Sequence, residues 1–463
     1  MFHHSSDTIC AISTPPGQGG IAVIRISGND AFAVCNKIFK PVSEKGRRGA
    51  ALSFGRIFRG DEIIDEVLVS TFHAPHSYTG DNVVEISCHG SLYIQQEIIK
   101  LLLSAGCRLA AAGEFTQRAF LNGKLDLSQA EAVGDLIASS SAAAHRIAMQ
   151  QMRGGISAEL SDLRNKLLNF TSLVELELDF ADEDVEFADR KQLKDLALQV
   201  ETVIRRLAGS FETGNAIKNG IPVTIVGETN VGKSTLLNRL LKEERAIVSE
   251  IHGTTRDAIE DTVVISGLMF RFIDTAGIRE THDAIEQLGI ERTFRKIEQA
   301  SIVLWMVDLT SDTKEIGYLA EEIAVRAEGK KLLLILNKAD RMTADELSRK
   351  IAFYDNFCID RMVMSAKSDA DIIALECALL EAANIQQIDE NDVIVTNMRH
   401  YEALTLAQAA IRQVISGLDS GISGDFLSQD IRECLYHLGE ITGQQISTEE
   451  VLGNIFSKFC IGK

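Results

Sequence analysis

Residues 222–235, PVTIVGETNVGKST, identify the architecture of the middle of this chain. An apolar run precedes Gly227, Gly232, Lys233 and Ser234 in the order G-x-x-x-x-G-K-S, and a helical pattern follows. In this order the glycines let backbone N–H groups close around phosphates, the lysine reaches the outer phosphates and the serine hydroxyl ligates Mg²⁺. We therefore predict a strand, a phosphate-binding loop and a helix. The predicted nucleoside triphosphate site comprises Asn230, Val231, Gly232, Lys233, Ser234 and Thr235.

Two later motifs specify the base. NKAD at 337–340 directly follows an apolar strand pattern. The carboxylate of Asp340 can accept both donors on the Watson–Crick edge of guanine, an arrangement that adenine lacks, while Asn337 and Lys338 brace the ring. SAK follows the next strand pattern and supplies a backbone donor to the guanine oxygen. The predicted nucleotide is GTP, and Ser365, Ala366 and Lys367 join the predicted site.

Two further motifs complete the nucleotide site. DTAG, which is Asp274, Thr275, Ala276 and Gly277, brings a carboxylate near Mg²⁺ and a glycine N–H near the terminal phosphate. GTTRD at 253–257 offers Thr255 as a switch hydroxyl on the metal. Either motif alone is also typical of an ordinary turn. Five motifs in this order and spacing indicate a GTP-binding domain.

The residue after DTAG differs from that of a Ras-like enzyme. Ile278 stands where such an enzyme has glutamine and carries no polar atom to orient water, so another group must do it. The amide oxygen of Asn230 is a candidate ligand for a monovalent cation that would neutralise transition-state charge. The residues alone leave this cation site and an ordinary loop asparagine as equal alternatives.

Composition favours a globular protein of about two to four domains, since the chain has 463 residues of which 45% are apolar. Its 47 basic and 66 acidic residues give a net charge of −19, so a stand-alone nucleic-acid binder is disfavoured. The eight cysteines form no C-x-x-C pair, and neither a signal-peptide pattern nor a membrane-length apolar run is present. These features predict a cytoplasmic protein with reduced thiols and no membrane association.

The sequence pattern changes along the chain. Residues 8 to about 120 alternate β-like runs with a helical run, which indicates an α+β domain. A helical pattern then continues to about residue 215, opened by Ser128 and Glu131 as a predicted capping box. Short strands alternate with amphipathic helices between 221 and 380, which is typical of a doubly wound α/β domain, and a helical pattern returns from 397. We interpret this order as a helical domain split by an inserted α/β domain.

Motifs along almost the whole chain carry a family resemblance. They are, in order, GIAVIRISG, SYTGDNVVEISCHG, GEFTQRAFLNGKLDLSQAEAVGDLI, GETNVGKST, GTTRD, DTAGIRE with IEQLGIER, NKAD and the terminal CIGK. Together they resemble the MnmE (TrmE) family of tRNA-modification GTPases, whereas the GTPase motifs alone would also fit ribosome-assembly GTPases. The resemblance implies an N-terminal α+β tetrahydrofolate-binding and dimerisation domain (1–121), a discontinuous all-α helical domain (122–217 and 383–463) and an inserted α/β P-loop, Ras-like G domain (218–382).

The resemblance also implies roles for particular residues. Asn230, Ser249, Ile251 and Thr254 would form a K⁺ site, Ser234 and Thr255 would hold Mg²⁺, and Glu286 would orient the attacking water. The nucleotide contacts would extend through Glu250, His252 and Gly253. Arg25, Glu85, Lys124 and Lys463 would bind 5-formyl- or methylene-tetrahydrofolate. Cys460 is either a reactive group or a packing residue, and read without the family Arg25 and Glu85 are a surface ion pair.

The implied function is K⁺-activated GTP hydrolysis in a homodimer. With the FAD-containing partner MnmG, in a heterotetramer or larger complex, the dimer would add an aminomethyl or carboxymethylaminomethyl group at C5 of the tRNA wobble uridine. Two alternatives remain. A ribosome-assembly GTPase would need an RNA module, of which the sequence after residue 380 gives no sign. A folate-dependent transferase acting without MnmG would need a hydride source, for which the chain has no dinucleotide fingerprint.

Overall fold

The computed structural model describes residues 7–42, 52–179, 190–243, 261–273, 294–311, 316–357, 359–384 and 392–444, together with Phe459 and Gly462. The chain forms two compact units. The first comprises Met1–Ile137, Met149–Arg206 and Arg399–Lys463, and the second comprises Ala138–Ala148 and Leu207–Met398. The predicted N-terminal segment thus shares a unit with most of the predicted helical segments, while residues 138–148, 207–217 and 383–398 belong to the second unit. The division of the chain at 121, 217 and 382 stays a prediction.

A mixed sheet forms one part of the first unit, with strand order β3-β4-β5-β6-β2-β1-β7. Neighbouring strands are antiparallel, except for the parallel pair β1 and β7. The sequence patterns predicted β2, β5 and β6, whereas the shorter strands β1, β3 and β7, and also β4, were missed. The strands are β1 (Ile9–Ile12), β2 (Gly19–Ser27), β3 (Phe39–Pro41), β4 (Leu52–Arg59), β5 (Glu62–Phe72), β6 (Val83–Gly90) and β7 (Arg108–Leu109).

The two faces of this sheet have different surroundings. Helices α1 (Ala31–Ile38) and α2 (Leu92–Ala105) pack on one face, over buried side chains of β2, β5 and β6. On the other face, α3 (Glu114–Leu121) buries Phe115 against β1. Because side chains alternate between faces, the residues of β4 and β5 that point away from α1 and α2 include several exposed apolar ones. Leu52, Phe54 and Leu68 are 57%, 49% and 43% exposed.

The first unit also contains long helices. They include α4 (Leu127–Ala138), α6 (Gly155–Asp179), most of α7 (Arg190–Gly209), α13 (Met398–Ser420) and α14 (Gly424–Thr442). Helix α5 (Ala142–Met152) has residues in both units. The uninterrupted helical pattern from 125 to 215 is therefore divided among several helices.

The predicted capping box of α4 is wrong by two residues. Asp126 Oδ1 accepts a hydrogen bond from Gln129 N at 2.9 Å, and Gln129 Oε1 accepts one from Asp126 N at 2.9 Å. Asp126 and Gln129 therefore form the reciprocal pair, because aspartate caps a helix as well as serine does. The Ser128 hydroxyl instead donates to Asp126, and Glu131 is 9% exposed in the helix interior.

The second unit is built on a sheet with strand order β13-β12-β11-β8-β10-β9. All pairs are parallel except β9 and β10. The predicted doubly wound pattern is confirmed for five strands, while the antiparallel edge strand β9 was missed. The strands are β8 (Ile221–Val226), β9 (Asp261–Ile265), β10 (Leu268–Phe272), β11 (Ile302–Asp308), β12 (Lys331–Asn337) and β13 (Asp360–Val363).

In the second unit one helix precedes β8 and others follow the strands. They are α8 (Phe211–Asn219), α9 (Lys233–Glu243), α10 (Ile316–Arg326), α11 (Ala344–Tyr354) and α12 (Asp369–Ala383), and residues 294–299 are also helical. All seven residues of β11 are buried, as expected for a central parallel strand that is covered on both faces. In the sheet, β10 and β9 lie on one side of β8, and β11, which follows them in the chain, lies on the other side. The carboxyl ends of β8 and β11 therefore form the crevice where such sheets bind ligands. Within the described ranges, each helix is too short or too polar to cross a bilayer.

Candidate functional site

The loop between β8 and α9 has the backbone of a phosphate-binding loop. Gly227 and Gly232 have φ angles of 146° and 108°, and Asn230 has a φ of 64°. A Cβ atom on Gly227 would lie 2.2 Å from the carbonyl oxygen of Met306, and one on Gly232 would lie 2.4 Å from Asn337 Nδ2. Both positions therefore require glycine for conformation and for space. The left-handed turn at Asn230 is one that asparagine tolerates better than most residues.

Lys233 opens α9 and turns back over this loop. Its Nζ donates hydrogen bonds to the carbonyl oxygens of Gly227 at 2.7 Å and of Glu228 at 2.5 Å. Burial and the nearby positive charge of Lys296 lower the pKa of Lys233 from its ordinary value. Ser234 and Thr235 follow in the first turn of α9, where the backbone N–H groups of a helix start and the helix dipole favour anions. The positive charge and the helix start converge where phosphates would lie.

Asn337 joins the phosphate-binding loop to the loop that follows β13. Its side chain is 2% exposed. Nδ2 donates to the carbonyl oxygen of Val231 at 2.7 Å, and Oδ1 accepts from Ala366 N at 2.9 Å. Only an amide has a donor and an acceptor so placed on one short side chain. The NKAD, SAK and phosphate-binding motifs are therefore parts of one local structure.

The predicted base-binding residues lie on the same edge of the sheet. Asp340 is exposed, and a hydrogen bond with Ser365 lowers the pKa of its carboxyl group. Ser365 is itself fixed, since its N–H donates to Asp371 at 2.8 Å, and Lys367 N donates to the Ser365 hydroxyl at 3.4 Å. An ionised, accessible carboxylate can accept two donors from one ring edge, as guanine recognition requires.

Lys338 has a partner that the sequence analysis did not single out. Its Nζ donates to Asp308 Oδ2 at 2.5 Å, in an ion pair that is largely buried. Asp308 is the last residue of β11 and lies beside Asn337 in the sheet register. An aspartate at the end of a buried strand is a signal for a site at that sheet edge, and it could have been read from SIVLWMVD.

Many of the predicted nucleotide and cation ligands lie outside the described residues. They are Ser249, Glu250, Ile251, His252, Gly253, Thr254, Thr255, Asp274, Thr275, Ala276, Gly277 and Glu286. Of the predicted cation ligands, the structure describes Asn230 and Ser234. Within the described ranges, no group of three or more His, Cys, Asp or Glu residues could hold a metal ion. The chemistry of Ser234 fits Mg²⁺, since a hydroxyl oxygen at a helix start is a hard ligand beside the phosphate-binding loop.

A second candidate site lies on the sheet of the first unit. Arg25 on β2 and Glu85 on β6 are paired in register, and Arg25 Nε donates to Glu85 Oε1 at 2.9 Å. The pair is largely buried, with 18% and 26% of the side chains exposed, so it is not a simple surface pair. The Arg25 guanidinium also lies over the rings of Tyr78 and Phe115, at 5.2 and 5.6 Å. These two aromatic residues were missed by the sequence analysis.

Of the two remaining predicted folate residues, the structure describes Lys124. Lys124 Nζ donates to the carbonyl oxygen of Pro75 at 3.0 Å, so Lys124 contacts the same segment that carries Tyr78. Gly462 accepts hydrogen bonds through its carbonyl oxygen from Ser13 Oγ at 2.9 Å and from Arg25 at 3.5 Å. Its φ is 97°, and a Cβ there would lie 2.2 Å from the carbonyl oxygen of Ile12. The glycine of the terminal CIGK therefore contacts the predicted folate pair, while Cys460 and Lys463 lie outside the described residues.

Comparisons with known proteins cover the whole chain. The model of the family described as GTP-binding protein TrmE N-terminus matches residues 8–124, and that of the MnmE helical domain matches residues 127–460. The protein named tRNA modification GTPase MnmE from Bacteroides thetaiotaomicron is 58% identical over 99% of this chain and 100% of that one. The protein of the same name from Flavobacterium johnsoniae is 53% identical over 99% and 100%. A structure of Aquifex aeolicus Era with GDP·AlF4⁻ aligns with a TM-score of 0.29 and 23% identity, over 41% of this chain and 66% of that one.

Proposed function

This chain belongs to the MnmE family of tRNA modification GTPases, and from this premise we propose how it works. It is a GTP hydrolase in tRNA modification. We propose that its hydrolysis is activated by K⁺. We further propose that it acts as a homodimer with the FAD-containing protein MnmG. Together they would add an aminomethyl or carboxymethylaminomethyl group at C5 of the wobble uridine.

The proposed GTP-binding site rests on the two side-chain contacts of Asn337. One buried amide contacts both Val231 of the phosphate-binding loop and Ala366 of the base-binding loop. This contact holds the phosphate-binding loop and the base-binding loop at a fixed separation. Catalysis by substrate positioning requires such a preorganised site. The proposed GTP contacts are those predicted from the motifs, with Asp340 on the base edge and Lys233 on the outer phosphates.

The proposed hydrolysis depends on charge placed around the terminal phosphate. Bound Mg²⁺ and K⁺ would supply positive charge to oxygens on which negative charge develops. Ser234 and Thr255 would hold Mg²⁺, and Asn230 with Ser249, Ile251 and Thr254 would hold K⁺. Asn230 lies in the phosphate-binding loop in a left-handed conformation, which supports its assignment to this site. Glu286 would orient the water that Ile278 cannot.

The proposed folate site uses the pair of Arg25 and Glu85. A carboxylate can accept donors of a pterin edge, and cations suit the carboxylates of the glutamate tail. Tyr78 beside Arg25 supplies aromatic surface for a flat ring, whereas Phe115 is fully buried beneath the guanidinium. Gly462 accepts a hydrogen bond from Arg25, which supports a role for the next residue, Lys463, in the same site.

The exposed face of β4 and β5 supports the proposed homodimer. Phe54 and Leu68 are cross-strand partners, and Ser87 on β6 is the next residue across the sheet. The neighbouring side chains of Arg56 and Glu66 form an ion pair at 2.9 Å. In a two-fold dimer, Arg56 of each copy could therefore lie opposite Glu66 of the other. Glu85 lies on the same face, which supports a folate site beside the proposed interface. The acidic net charge of the chain supports a basic partner surface for tRNA.

The function is tested by mass spectrometry of tRNA nucleosides from cells that lack this protein. We expect the 5-aminomethyl-type wobble uridines to disappear, to return with the intact gene and to stay absent with a Lys233→Ala copy. An unchanged nucleoside profile would contradict the proposal and favour the ribosome-assembly alternative. If the Lys233→Ala copy restores the lost modification, the modification does not depend on GTP binding at this site.

The cation dependence is tested by steady-state hydrolysis in KCl and in NaCl at equal ionic strength. We expect K⁺ to raise kcat at least tenfold over Na⁺, because a fixed positive charge on the terminal phosphate contributes about 1.4 kcal/mol or more to transition-state stabilisation. Asn230→Ala should reduce this ratio toward one. Equal rates in the two salts would exclude the cation role.

A further inference from the structure

Asp308 ends β11 beside the base-binding motif. It is in register with Asn337 on β12, and the following residue, Leu309, donates its N–H to the carbonyl oxygen of Asn337 at 3.1 Å. A cavity at this point is lined by residues that include Gly227 and Glu228 of the phosphate-binding loop and Asp308 itself. The Asp308 carboxylate therefore lies where the phosphate-binding loop and the NKAD motif meet.

This carboxylate is buried and has several donors. Asp308 is 8% exposed. Oδ1 accepts hydrogen bonds from Thr310 N at 2.9 Å and Thr310 Oγ1 at 2.7 Å, and Oδ2 accepts from Lys338 Nζ at 2.5 Å. Burial alone would raise the pKa of Asp308, but the hydrogen bonds from Lys338 and Thr310 lower it from its ordinary value. A fixed negative charge thus faces the Lys338 ammonium.

Holding the ammonium restricts the whole Lys338 side chain. A lysine side chain has a flexible four-carbon stem, and ordering it costs conformational entropy each time a ligand binds. Here the backbone of Lys338 is set by a φ of 66°, and the far end of the side chain is set by Asp308. Both ends of the stem are therefore fixed by contacts within the protein, next to the exposed carboxylate of Asp340.

We propose that Asp308 is a positioning residue for guanine binding, which holds the Lys338 ammonium so that the lysine stem is already in place beside the base. The inference rests on the proposed GTP site. It assigns Asp308 no contact with the nucleotide. Its effect should therefore appear in GTP affinity and should depend on Lys338.

The test is Asp308→Asn in the full-length protein. Asparagine keeps an oxygen for Thr310 but removes the charge that holds Lys338. We expect Kd and KM for GTP to rise about tenfold, with kcat at saturating GTP within about twofold of wild type. Thr310→Val is the matched control, because it removes one hydrogen bond to the same carboxylate and leaves the contact with Lys338. Its Kd for GTP should stay within about twofold of wild type.

A double-mutant cycle separates positioning from a general structural role. In a Lys338→Met background, Asp308→Asn should weaken GTP binding no further, because the group that it positions is gone. Unchanged GTP affinity in Asp308→Asn would overturn the inference, and so would an equal loss in both backgrounds.

Asp340→Asn tests the proposed site separately. An amide N–H suits the extra oxygen of xanthine, so this variant should prefer XTP to GTP. If it still prefers GTP, the base-site assignment fails. If it switches to XTP and Asp308→Asn binds GTP normally, only the role of Asp308 fails.

Discussion

At the scale of single residues, polar groups buried at the nucleotide edge organise the site. Burying an amide costs free energy unless its donor and acceptor are both paired, and Asn337 pairs both at 2.7 and 2.9 Å. The same side chain explains why residue 232 is glycine, since a Cβ there would lie 2.4 Å from Asn337 Nδ2. Asn337 is therefore a structural connector as well as part of the base-binding motif.

Asn337→Ala should destabilise the second unit. The change leaves the carbonyl of Val231 and the N–H of Ala366 without their side-chain partner, and we expect a loss of about 3 kcal/mol in the free energy of unfolding. Urea unfolding of the nucleotide-free protein measures it. Asn219→Ala is the control, since Asn219 is exposed and its side chain donates to Asn215 on the same helix, and it should change stability by less than about 0.5 kcal/mol. Equal stability of the two variants would contradict the connector role.

At the scale of elements, one buried ionic network joins helices that are distant in sequence. Glu131 on α4 accepts hydrogen bonds from Arg399 Nε and Nη2 of α13 at 3.0 Å, across 268 residues of sequence. His400 Nε2 lies 2.8 Å from the same carboxylate, and Arg399 also donates to the carbonyl oxygen of Ile441 in α14 at 3.1 Å. The two halves of the split helical pattern thus meet at a carboxylate.

This network predicts acid sensitivity of the first unit. Burial alone would raise the pKa of Glu131, but His400 and Arg399 lower it to about 2 from 4.5. Because the folded-state pKa is lowered, the carboxylate contributes stability above about pH 5 and loses it as the pH falls toward 2, by about 3 kcal/mol in total. Urea unfolding between pH 7 and pH 3 should show this loss in wild type.

Glu131→Gln should abolish that part of the pH dependence. At pH 7 the variant should be less stable by about 3 kcal/mol, because the buried Arg399 loses its counter-charge. The difference from wild type should shrink as the pH falls. Glu402→Gln, on an exposed position of α13, is the control and should follow wild type at every pH. A constant difference between wild type and Glu131→Gln across this range would contradict the assignment.

At the scale of the whole molecule, the open sheet face points to association. Covering one face with α1 and α2 leaves Leu52, Phe54 and Leu68 exposed on the other. Apolar patches of this kind often mark interfaces with other chains, whereas scattered apolar residues do not. The opposite charges of Arg56 and Glu66 beside the patch give it the mixed rim that interfaces have.

The double variant Phe54→Ser, Leu68→Ser should favour monomers. Each substitution removes apolar area that a second copy would cover, and we expect the dimer Kd to rise about 100-fold. Sedimentation velocity over a concentration series measures it. Val325→Ser, which changes a 72%-exposed residue of α10, should leave the dimer unchanged. A double variant that dimerises like wild type would place the interface elsewhere.

Local patterns were enough to predict some features. The strand, loop and helix around Gly227 and Lys233 follow from residues within one short segment, since glycine conformation and helix start are local properties. The same holds for the long strands β2 and β5, which contain enough residues to show apolar periodicity, and for β11, which is a continuous apolar run. β1, β3 and β7 are too short for a periodic pattern, and β9 is recognisable mainly by its pairing with β10.

Other features depend on residues that are far apart in the chain. Nothing near Asp308 or Glu131 in sequence indicates that they contact Lys338 and Arg399. The contact of Gly462 with Arg25 agrees with the family resemblance, which implied that the next residue, Lys463, shares a site with Arg25. The order of motifs therefore predicted which chemistry this protein carries, because each motif is a continuous segment with its own geometry. Its buried ion pairs came from the folded structure, because long-range packing selects such partners and leaves no local pattern.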